Sequence, residues 1–466
     1  MRLRPAEAFN VMGTALMVAA LAATLVTDAG AARTDEKPGQ ALTNERSFCT
    51  GRPDTPWDVQ IRSCTALILS EREPVKDRAI AHNNRGIAYY GEKDYDRAIA
   101  DYDAAVSLDP GYATGYYNRG NAWQVKGDYD RAVRDYDQAL ALQANFSAVY
   151  YNRGNTYRAK GEIDRAMADY DVGLELFPNS ARTYGNRGIA YYIKKDYDRA
   201  ITDYDAAIRL DPDYANAYGN RALAYAAKGA FDRAIADYDA ALRLRPGAID
   251  YNNRGLAYAA RNDFDRAIAD YDAALRLDPA LASAHANRGE AYRVEGDDDR
   301  AVADFAAAIA LDPANSVAYF GRGRILLYRG ALADAERDLA WASELAPRDA
   351  HYALWLELAV LRNHRPSRLA DIASRLDMKA WPAPLVRLFL GDATPGAVLA
   401  AAADLDPGRK SDKLCEAEFF SGAAALRDGR DPESARLFRR AAQDCPKSFF
   451  ESQAANIELK ALGLAP

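Results

Sequence analysis

At 466 residues, the chain is longer than a single hydrophobic core usually supports, so it is either several domains or an array of repeats. Charged residues make up 27% and hydrophobic ones 49%, the balance of a folded soluble protein. A formal charge of -7 argues against a nucleic-acid partner, which would need a basic face to meet phosphates.

In chain order, the first feature is an export pattern. Arg2 and Arg4 precede an apolar run from Val11 to Val26, and Ala29-Gly30-Ala31 is a small-x-small cleavage site. Residues 1–31 are expected to be a signal peptide, with 32–47 as a flexible lead-in around Lys37-Pro38-Gly39. The alternative is an uncleaved anchor, the only route by which the chain would meet a membrane. The four cysteines form two local pairs, Cys49 with Cys64 and Cys415 with Cys445, without a close C-x-x-C unit, so zinc and thioredoxin-like chemistry are not indicated. Export implies oxidised pairs; buried free thiols are the other reading. Residues 48–76 read as a capping helix, with Trp57, Ile61, Cys64 and Ile68 on one face and Asp54 or Thr55 able to cap its start.

From residue 77 to 347 a repeat dominates. Its arginine recurs at Arg85, Arg119, Arg153, Arg187, Arg221, Arg254, Arg288 and Arg322, every 33 or 34 residues by subtraction of those numbers. One unit contains the string YYNRGNAWQVKGDYDRAVRDYDQALAL. A small residue follows each arginine, such as Gly86, Gly120 and Gly154, and lets two helices approach closely. An aromatic follows in most units, such as Tyr89 and Trp123. An alanine opens a second helix, as at Ala98 and Ala132, with Tyr102 or Tyr136 four residues later on the same face. Prolines such as Pro110, Pro178 and Pro212 end most units. Asp-Tyr steps such as Asp128-Tyr129 suit the positive start of the second helix. The recurrent aspartates, Asp135 and Asp137 among them, read as a solvated face, with pairs such as Arg131 and Asp135 one turn apart.

These columns resemble the tetratricopeptide repeat (TPR) family, with eight units. The resemblance implies an all-α fold: a right-handed superhelical solenoid of helix-turn-helix hairpins, followed by a less regular helical region at 348–466. In that region helices are expected at Tyr352–Leu361, Leu369–Leu376 and Trp381–Leu390. A degenerate repeat follows at 414–446, then a closing helix, about Phe449–Leu462, that groups Phe450, Ala454 and Ile457. In a TPR hairpin the first helix starts near the end of the second, which places Cys415 beside Cys445. The strings WPAPLVRLFLGD and LCEAEFFSGAAALRDG are similar to the end of the periplasmic NlpI-type TPR lipoproteins, adaptors that bring a tail-specific protease to peptidoglycan-cutting enzymes. This chain has more repeats and lacks their lipidated cysteine.

Nothing in the sequence carries catalysis or a cofactor. No G-x-S-x-G, H-E-x-x-H or G-x-x-x-x-G-K-[ST] string occurs. His82 and His285 stand in a column otherwise filled by Tyr, and His351 and His364 have no partner at ligand spacing. The chain therefore reads as an exported, non-enzymatic scaffold or adaptor for other proteins or extended peptides, periplasmic and engaged in cell-envelope assembly or maintenance. The alternative is a permanent subunit of a larger envelope complex. The arginine column reads as structural, paired with the aspartates Asp101, Asp135, Asp169 and Asp203; the alternative is an anion-binding row. The TPR resemblance places the asparagine before each arginine on the inner face: Asn84, Asn118, Asn152, Asn186, Asn220, Asn253 and Asn287. It implies a ladder that grips a ligand backbone, since a carboxamide both donates and accepts. Tyr117, Tyr151, Tyr192, Arg158 and Arg182 share that groove as sources of selectivity. The other reading of the asparagines is that each bonds only its own helix or a neighbour.

Overall fold

The computed structural model describes residues 45–51, 54–403, 410–446 and 449–465. The signal peptide and residues 32–44 of the lead-in lie outside the described residues. Residues 45–49 are helical rather than flexible lead-in. All regular structure among the described residues is helical. The chain divides into two compact units, one ending at Ala224 and one starting at Tyr225.

In the N-terminal unit the helical residues 45–49 precede the helix Trp57–Ile68. Four hairpins follow: Val75–Gly91 with Tyr95–Leu108, Ala113–Val125 with Tyr129–Leu142, Ser147–Ala159 with Ile163–Leu176, and Ala181–Ile193 with Tyr197–Leu210. The C-terminal unit holds three complete hairpins of the same kind: Ala248–Ala260 with Phe264–Leu277, Ala282–Glu295 with Asp298–Leu311, and Ser316–Tyr328 with Leu332–Leu345. Between the two series stand the helices Ala215–Ala227 and Phe231–Leu244. Within each unit consecutive first helices touch one another. They therefore form a continuous inner layer.

Local chemistry explains each hairpin. Aspartate starts most second helices, its carboxylate accepting the backbone N–H three residues on, Asp128 from Arg131 at 3.1 Å and Asp196 from Arg199 at 3.1 Å, while Glu162 and Ala331 stand there without a side-chain cap. The turn before it needs a left-handed residue, supplied by glycine at Gly127 (φ 79°) and Gly161 (φ 80°), but by Lys93 (φ 65°) and Lys195 (φ 62°) elsewhere. The small column works as expected: a Cβ on Gly120 would lie 2.7 Å from Cε1 of the buried Tyr136. The residue before each proline turns extended and ends the helix, as Asp109 does before Pro110 (φ -134°, ψ 90°).

The arginine column is the strongest contact in the array. Arg187 donates to both carboxylate oxygens of Asp203, from Nε at 2.8 Å and Nη2 at 2.7 Å, and from Nη1 to Asp171 of the preceding repeat at 2.7 Å. Arg119 treats Asp135 and Asp103 in the same way, and Arg153 treats Asp169 and Asp137. Arg288 does so with Asp304 and Asp272. The Asp-Tyr-Asp aspartates thus form a solvated face only in part, since Asp137 is exposed and Asp135 is buried. The first is buried under its own arginine, and the second reaches forward to the next repeat. Asp135 faces Arg119 rather than Arg131, which pairs with Asp128 at 3.2 Å. Where the neighbouring Tyr column carries histidine, the ring joins the same aspartate, His82 Nδ1 to Asp101 at 2.9 Å and His285 Nδ1 to Asp304 at 3.1 Å. Burial pushes the Asp101 carboxyl up, but Arg85 and His82 outweigh it and hold it below the usual range. Burial prevails at Asp135, Asp169 and Asp203, while Arg119, Arg153 and Arg187 are held well above the ordinary guanidinium value by their carboxylates.

Both ends of the array differ in detail from expectation. Pro56 takes the N-cap position of the helix Trp57–Ile68 and supplies no side-chain cap. The buried face of this helix is Gln60, Ser63, Cys64 and Leu67; Trp57 lies at the rim, its ring within 2.7 Å of where a Gly91 Cβ would stand. At the other end, helices occur at Ala350–Arg362, Leu369–Ala373 and Ala383–Leu390, and an unexpected one at Pro395–Ala403. The hairpin Lys410–Arg427 with Asp431–Asp444 repeats the small-aromatic contact, Gly422 against Phe438. The cysteines pair as expected: Cys49 with Cys64 (S–S 2.18 Å, Cα–Cα 4.6 Å) and Cys415 with Cys445 (S–S 2.32 Å, Cα–Cα 5.5 Å).

Substitution of one partner in the arginine lattice tests it. Arg187→Leu leaves Asp203, only 3% exposed, without its cation. A denaturant melt should show a loss of about 3–5 kcal/mol. The double variant Arg187→Leu, Asp203→Leu should recover most of that loss, because no buried charge is then stranded.

Candidate functional site

The first helices of the N-terminal unit present their asparagines to the inner layer, and the amides are already engaged. Asn152 Nδ2 donates to the Tyr117 hydroxyl at 2.9 Å and to Asn121 Oδ1 at 2.9 Å. Asn186 Nδ2 repeats this on Tyr151 at 3.1 Å and Asn155 Oδ1 at 2.9 Å. Asn118 Nδ2 donates to Asn83 Oδ1 at 2.8 Å. Each donation crosses from one repeat to the one before it. Asn84 receives the Asn83 amide at 3.2 Å, and in the C-terminal unit Asn253 receives that of Asn252 at 3.3 Å, while Asn287 donates to Asn252 at 2.9 Å. Asn220 stands on the helix Ala215–Ala227, half-buried.

This arrangement corrects the chemistry expected of the ladder. At Asn152 and Asn186 both amide protons are used within the protein. What remains for a ligand is acceptor capacity on Oδ1 and the hydroxyl protons of Tyr117 and Tyr151. The row therefore offers acceptors to peptide N–H groups and tyrosine donors to peptide carbonyls.

A second set of amides makes this possible. Asn121 and Asn155 lie one turn beyond the row and accept from the buried tyrosine hydroxyls, Tyr136 to Asn121 at 2.8 Å and Tyr170 to Asn155 at 2.8 Å. A buried hydroxyl needs such a partner. The sequence carries the signal, since only these two repeats read Asn-Arg-Gly-Asn. Tyr192 packs against Tyr197 (centroids 5.4 Å apart), and its hydroxyl is pushed up by burial to about 12. Arg158 is half-buried with its Nε unpaired, and Arg182 is exposed.

In the C-terminal unit the same helix positions are covered by the chain's own last helix, Phe450–Ala461. Phe450 enters between Arg324, whose guanidinium lies 4.8 Å from its centroid, and Trp355, 5.1 Å away edge-on. Arg293 Nη1 donates to Gln453 Oε1 at 3.2 Å, and the Tyr328 hydroxyl to Glu458 Oε1 at 3.0 Å; Arg362 also pairs with Glu458. Glu290 lies between Arg293 (2.8 Å) and Arg324 (3.6 Å), which outweigh its burial and hold its carboxyl down at about 2. The buried face of this helix is Phe450, Ala454, Ala455, Glu458 and Leu459, whereas Ile457, expected in the cap, is exposed.

His351 is the other charged centre of this region. Its Nε2 meets Glu416 Oε2 at 3.1 Å and its Nδ1 meets Asp349 Oδ1 at 3.4 Å, while Trp381 Nε1 donates to the same Glu416 oxygen at 2.7 Å. Burial opposes a charge on the ring, but the two carboxylates prevail and raise His351 to about 10. Among the described residues no cluster of His, Cys, Asp and Glu could hold a metal ion.

Models of the tetratricopeptide repeat match residues 79–112, 113–146, 215–247 and 282–315, and TPR repeat models match 154–194, 188–229 and 255–293. The chain belongs to the tetratricopeptide repeat family. Among solved TPR-rich structures, MamA protein is 30% identical over 36% of this chain and 93% of its own (TM-score 0.34). A tetratricopeptide repeat protein from Parabacteroides merdae is 21% identical over 53% of this chain and 97% of its own (0.44). YrrB, described as a TPR protein with an unusual peptide-binding site, is 26% identical over 43% of this chain and 97% of its own (0.35). No curated protein sequence matches the chain. The resemblance of the C-terminal region to NlpI-type adaptors is not shown by these comparisons. TPR arrays are scaffolds that bind other proteins or peptides.

Linkage at His351 gives a pH test. A folded value near 10 against 6.5 unfolded stabilises the fold fully below 6.5, and the gain is lost as pH rises toward 10. Glu416 is held below its usual 4.5, so its share is lost on acidification below that point. The melting temperature of the protein should exceed that of His351→Gln most between about pH 4.5 and 6.5, and the two should converge near pH 10.

Proposed function

We propose that this chain is an exported adaptor that holds extended segments of other proteins along the first-helix layer of its N-terminal unit, in the service of cell-envelope assembly or maintenance. The observation that carries this reading is the leftover hydrogen-bonding capacity of that layer. Oδ1 of Asn118, Asn152 and Asn186, with the hydroxyls of Tyr117 and Tyr151, can pair with a peptide backbone of any sequence. The last helix takes up the corresponding positions of the C-terminal unit, which directs a partner to the N-terminal one. A net hydrogen bond contributes about 0.5–1.5 kcal/mol, and association costs at least about 4 kcal/mol. Backbone pairing alone therefore gives weak, sequence-tolerant binding, suited to an adaptor.

Asn118, Asn152, Asn186 and Asn220 changed together to Ala should abolish capture of partners from envelope extract by a variant whose circular dichroism is unchanged. Retention at full affinity would move the site to another surface. Because the asparagines also link repeats, the variant should melt a few degrees lower, a readout separate from binding.

Export rests on the N-terminal pattern and on four cysteines that pair without remainder. Among the described residues no helix is long and apolar enough to cross a membrane. Intact mass of the protein from the envelope fraction should correspond to a chain starting at Ala32. A full-length mass would support the anchored alternative. One observation favours a permanent subunit instead: the second helices end in partly exposed leucines, Leu142, Leu176 and Leu210 in the N-terminal unit and Leu277, Leu311 and Leu345 in the C-terminal one. A complex that survives purification at high dilution would support that reading.

A further inference from the structure

The first helices of the N-terminal unit have an unusual charge content. Ala113–Val125, Ser147–Ala159 and Ala181–Ile193 contain no Asp or Glu at all, in a chain with 67 such residues. Their column arginines, Arg119, Arg153 and Arg187, are neutralised by aspartates of the second helices. Arg158 and Arg182 are additional and have no ion pair among the described residues. Arg158 follows Asn155 by one turn, and Arg182 precedes Asn186 by one turn, so the two flank the Asn155–Asn186 amide pair.

Their surroundings are built for an anion. Arg158 keeps a buried, unpaired Nε among tyrosines, a donor left without an acceptor. Gly185 leaves room for the ring of Tyr214, whose Cε1 lies 3.0 Å from where a Cβ would stand. Tyr214 feels both arginines, which work against the upward pull of burial and of Asp211 on its hydroxyl. Asp211, in the loop before that ring, is the carboxylate that acts on Tyr214 beside the two arginines.

We infer that the segment held in this layer is acidic, and that Arg158 and Arg182 receive carboxylate side chains from the middle of a passing chain. This inference rests on the groove proposed above. A side chain fits better than a chain end because the asparagine row continues on both sides of the pair, at Asn118 on one and at Asn220 on the other. Guanidinium forks bind carboxylates in two parallel bonds. The rest of the chain, with net charge -7, repels an acidic ligand, so attraction concentrates on this layer.

The probes are three fluorescein-labelled dodecapeptides of Gly, Ser and Ala with alternate central positions filled. One carries Glu and an amidated end, one Gln and an amidated end, one Gln and a free carboxyl end. Anisotropy at low salt with the full chain should show the Glu peptide binding at least tenfold tighter than the amidated Gln peptide, and the preference should shrink in 1 M salt. Arg158→Gln with Arg182→Gln should equalise Glu and Gln peptides while melting normally; Arg182→Gln alone, at an exposed site, should halve the preference or more without touching the fold. Equal binding of Glu and Gln peptides by the unaltered protein would overturn the inference and leave the backbone-binding groove standing. Tightest binding of the free-carboxyl peptide would overturn it in favour of a terminal clamp. A Glu preference that survives in the folded double variant would also sink it. The asparagine variant distinguishes the two readings, since it should lose all three peptides.

Discussion

The array depends on one ion-pair geometry, an arginine such as Arg119, Arg153, Arg187 or Arg288 held between two aspartates of successive second helices. Inside a hairpin, the pair Arg187–Asp203 locks first helix to second. Across the boundary, Arg187–Asp171 locks that hairpin to the one before it. A half-buried guanidinium satisfied on only one side would leave donors stranded, so the second aspartate of Asp-Tyr-Asp is needed as much as the first. In a solenoid, stability is the sum of repeat and nearest-neighbour terms, and this bridge contributes to both. It stops where the array stops: Arg322 keeps Asp338, at 2.7 and 3.0 Å, but the preceding second helix carries Ala306 in place of the forward-reaching aspartate.

With that contact fixed, neighbouring positions on the same helix are assigned by elimination. The glycine after the arginine must stay small, because the tyrosine of the second helix occupies its space. The asparagine before the arginine turns away from the second helix toward the inner layer. There the buried tyrosine hydroxyls require acceptors, and Asn121 and Asn155 supply them. These asparagines also receive the amides of the next repeat, from Asn152 and Asn186. The binding capacity of the layer is thus a remainder, what is left after the array has satisfied its own polar groups.

Most of the fold was legible in the sequence because the repeat prints each constraint several times. The period, the glycine against tyrosine, the aspartate caps and the arginine pairing with Asp135 or Asp203 all follow from columns. What stayed hidden occurs once or depends on direction. A column of Asp does not say which residue faces inward, so Asp135 and Asp137 read as one surface although one is buried and the other reaches the next repeat. A column of Asn does not say whether its amide protons are free. The helix Pro395–Ala403, mostly alanine, has no stripe of large apolar residues to announce it. The face of Phe450–Ala461 was misread at Ile457 because its partners, Arg293, Arg324 and Arg362, lie far away in sequence and are polar.

Those partners also explain why the C-terminal unit is closed rather than empty. Arg293 and Arg324 are 2% and 4% exposed, and burial pulls the Arg324 guanidinium below its usual value. Two buried cations sharing Glu290 are costly unless something covers and balances them. Phe450 supplies a ring face to both, at 5.4 and 4.8 Å, and Glu458 pairs with Arg362. Ala454, Ala455 and Leu459 complete the apolar contact with the helical region behind. A ligand able to replace this helix would have to bring an aromatic ring and a carboxylate at the same spacing while ordering its own backbone, a cost the attached helix has largely met through its neighbours. Intramolecular attachment therefore reserves these positions for the chain itself, whereas among the described residues no segment of the N-terminal unit pairs in this way with its asparagine oxygens, the difference on which the proposed groove rests.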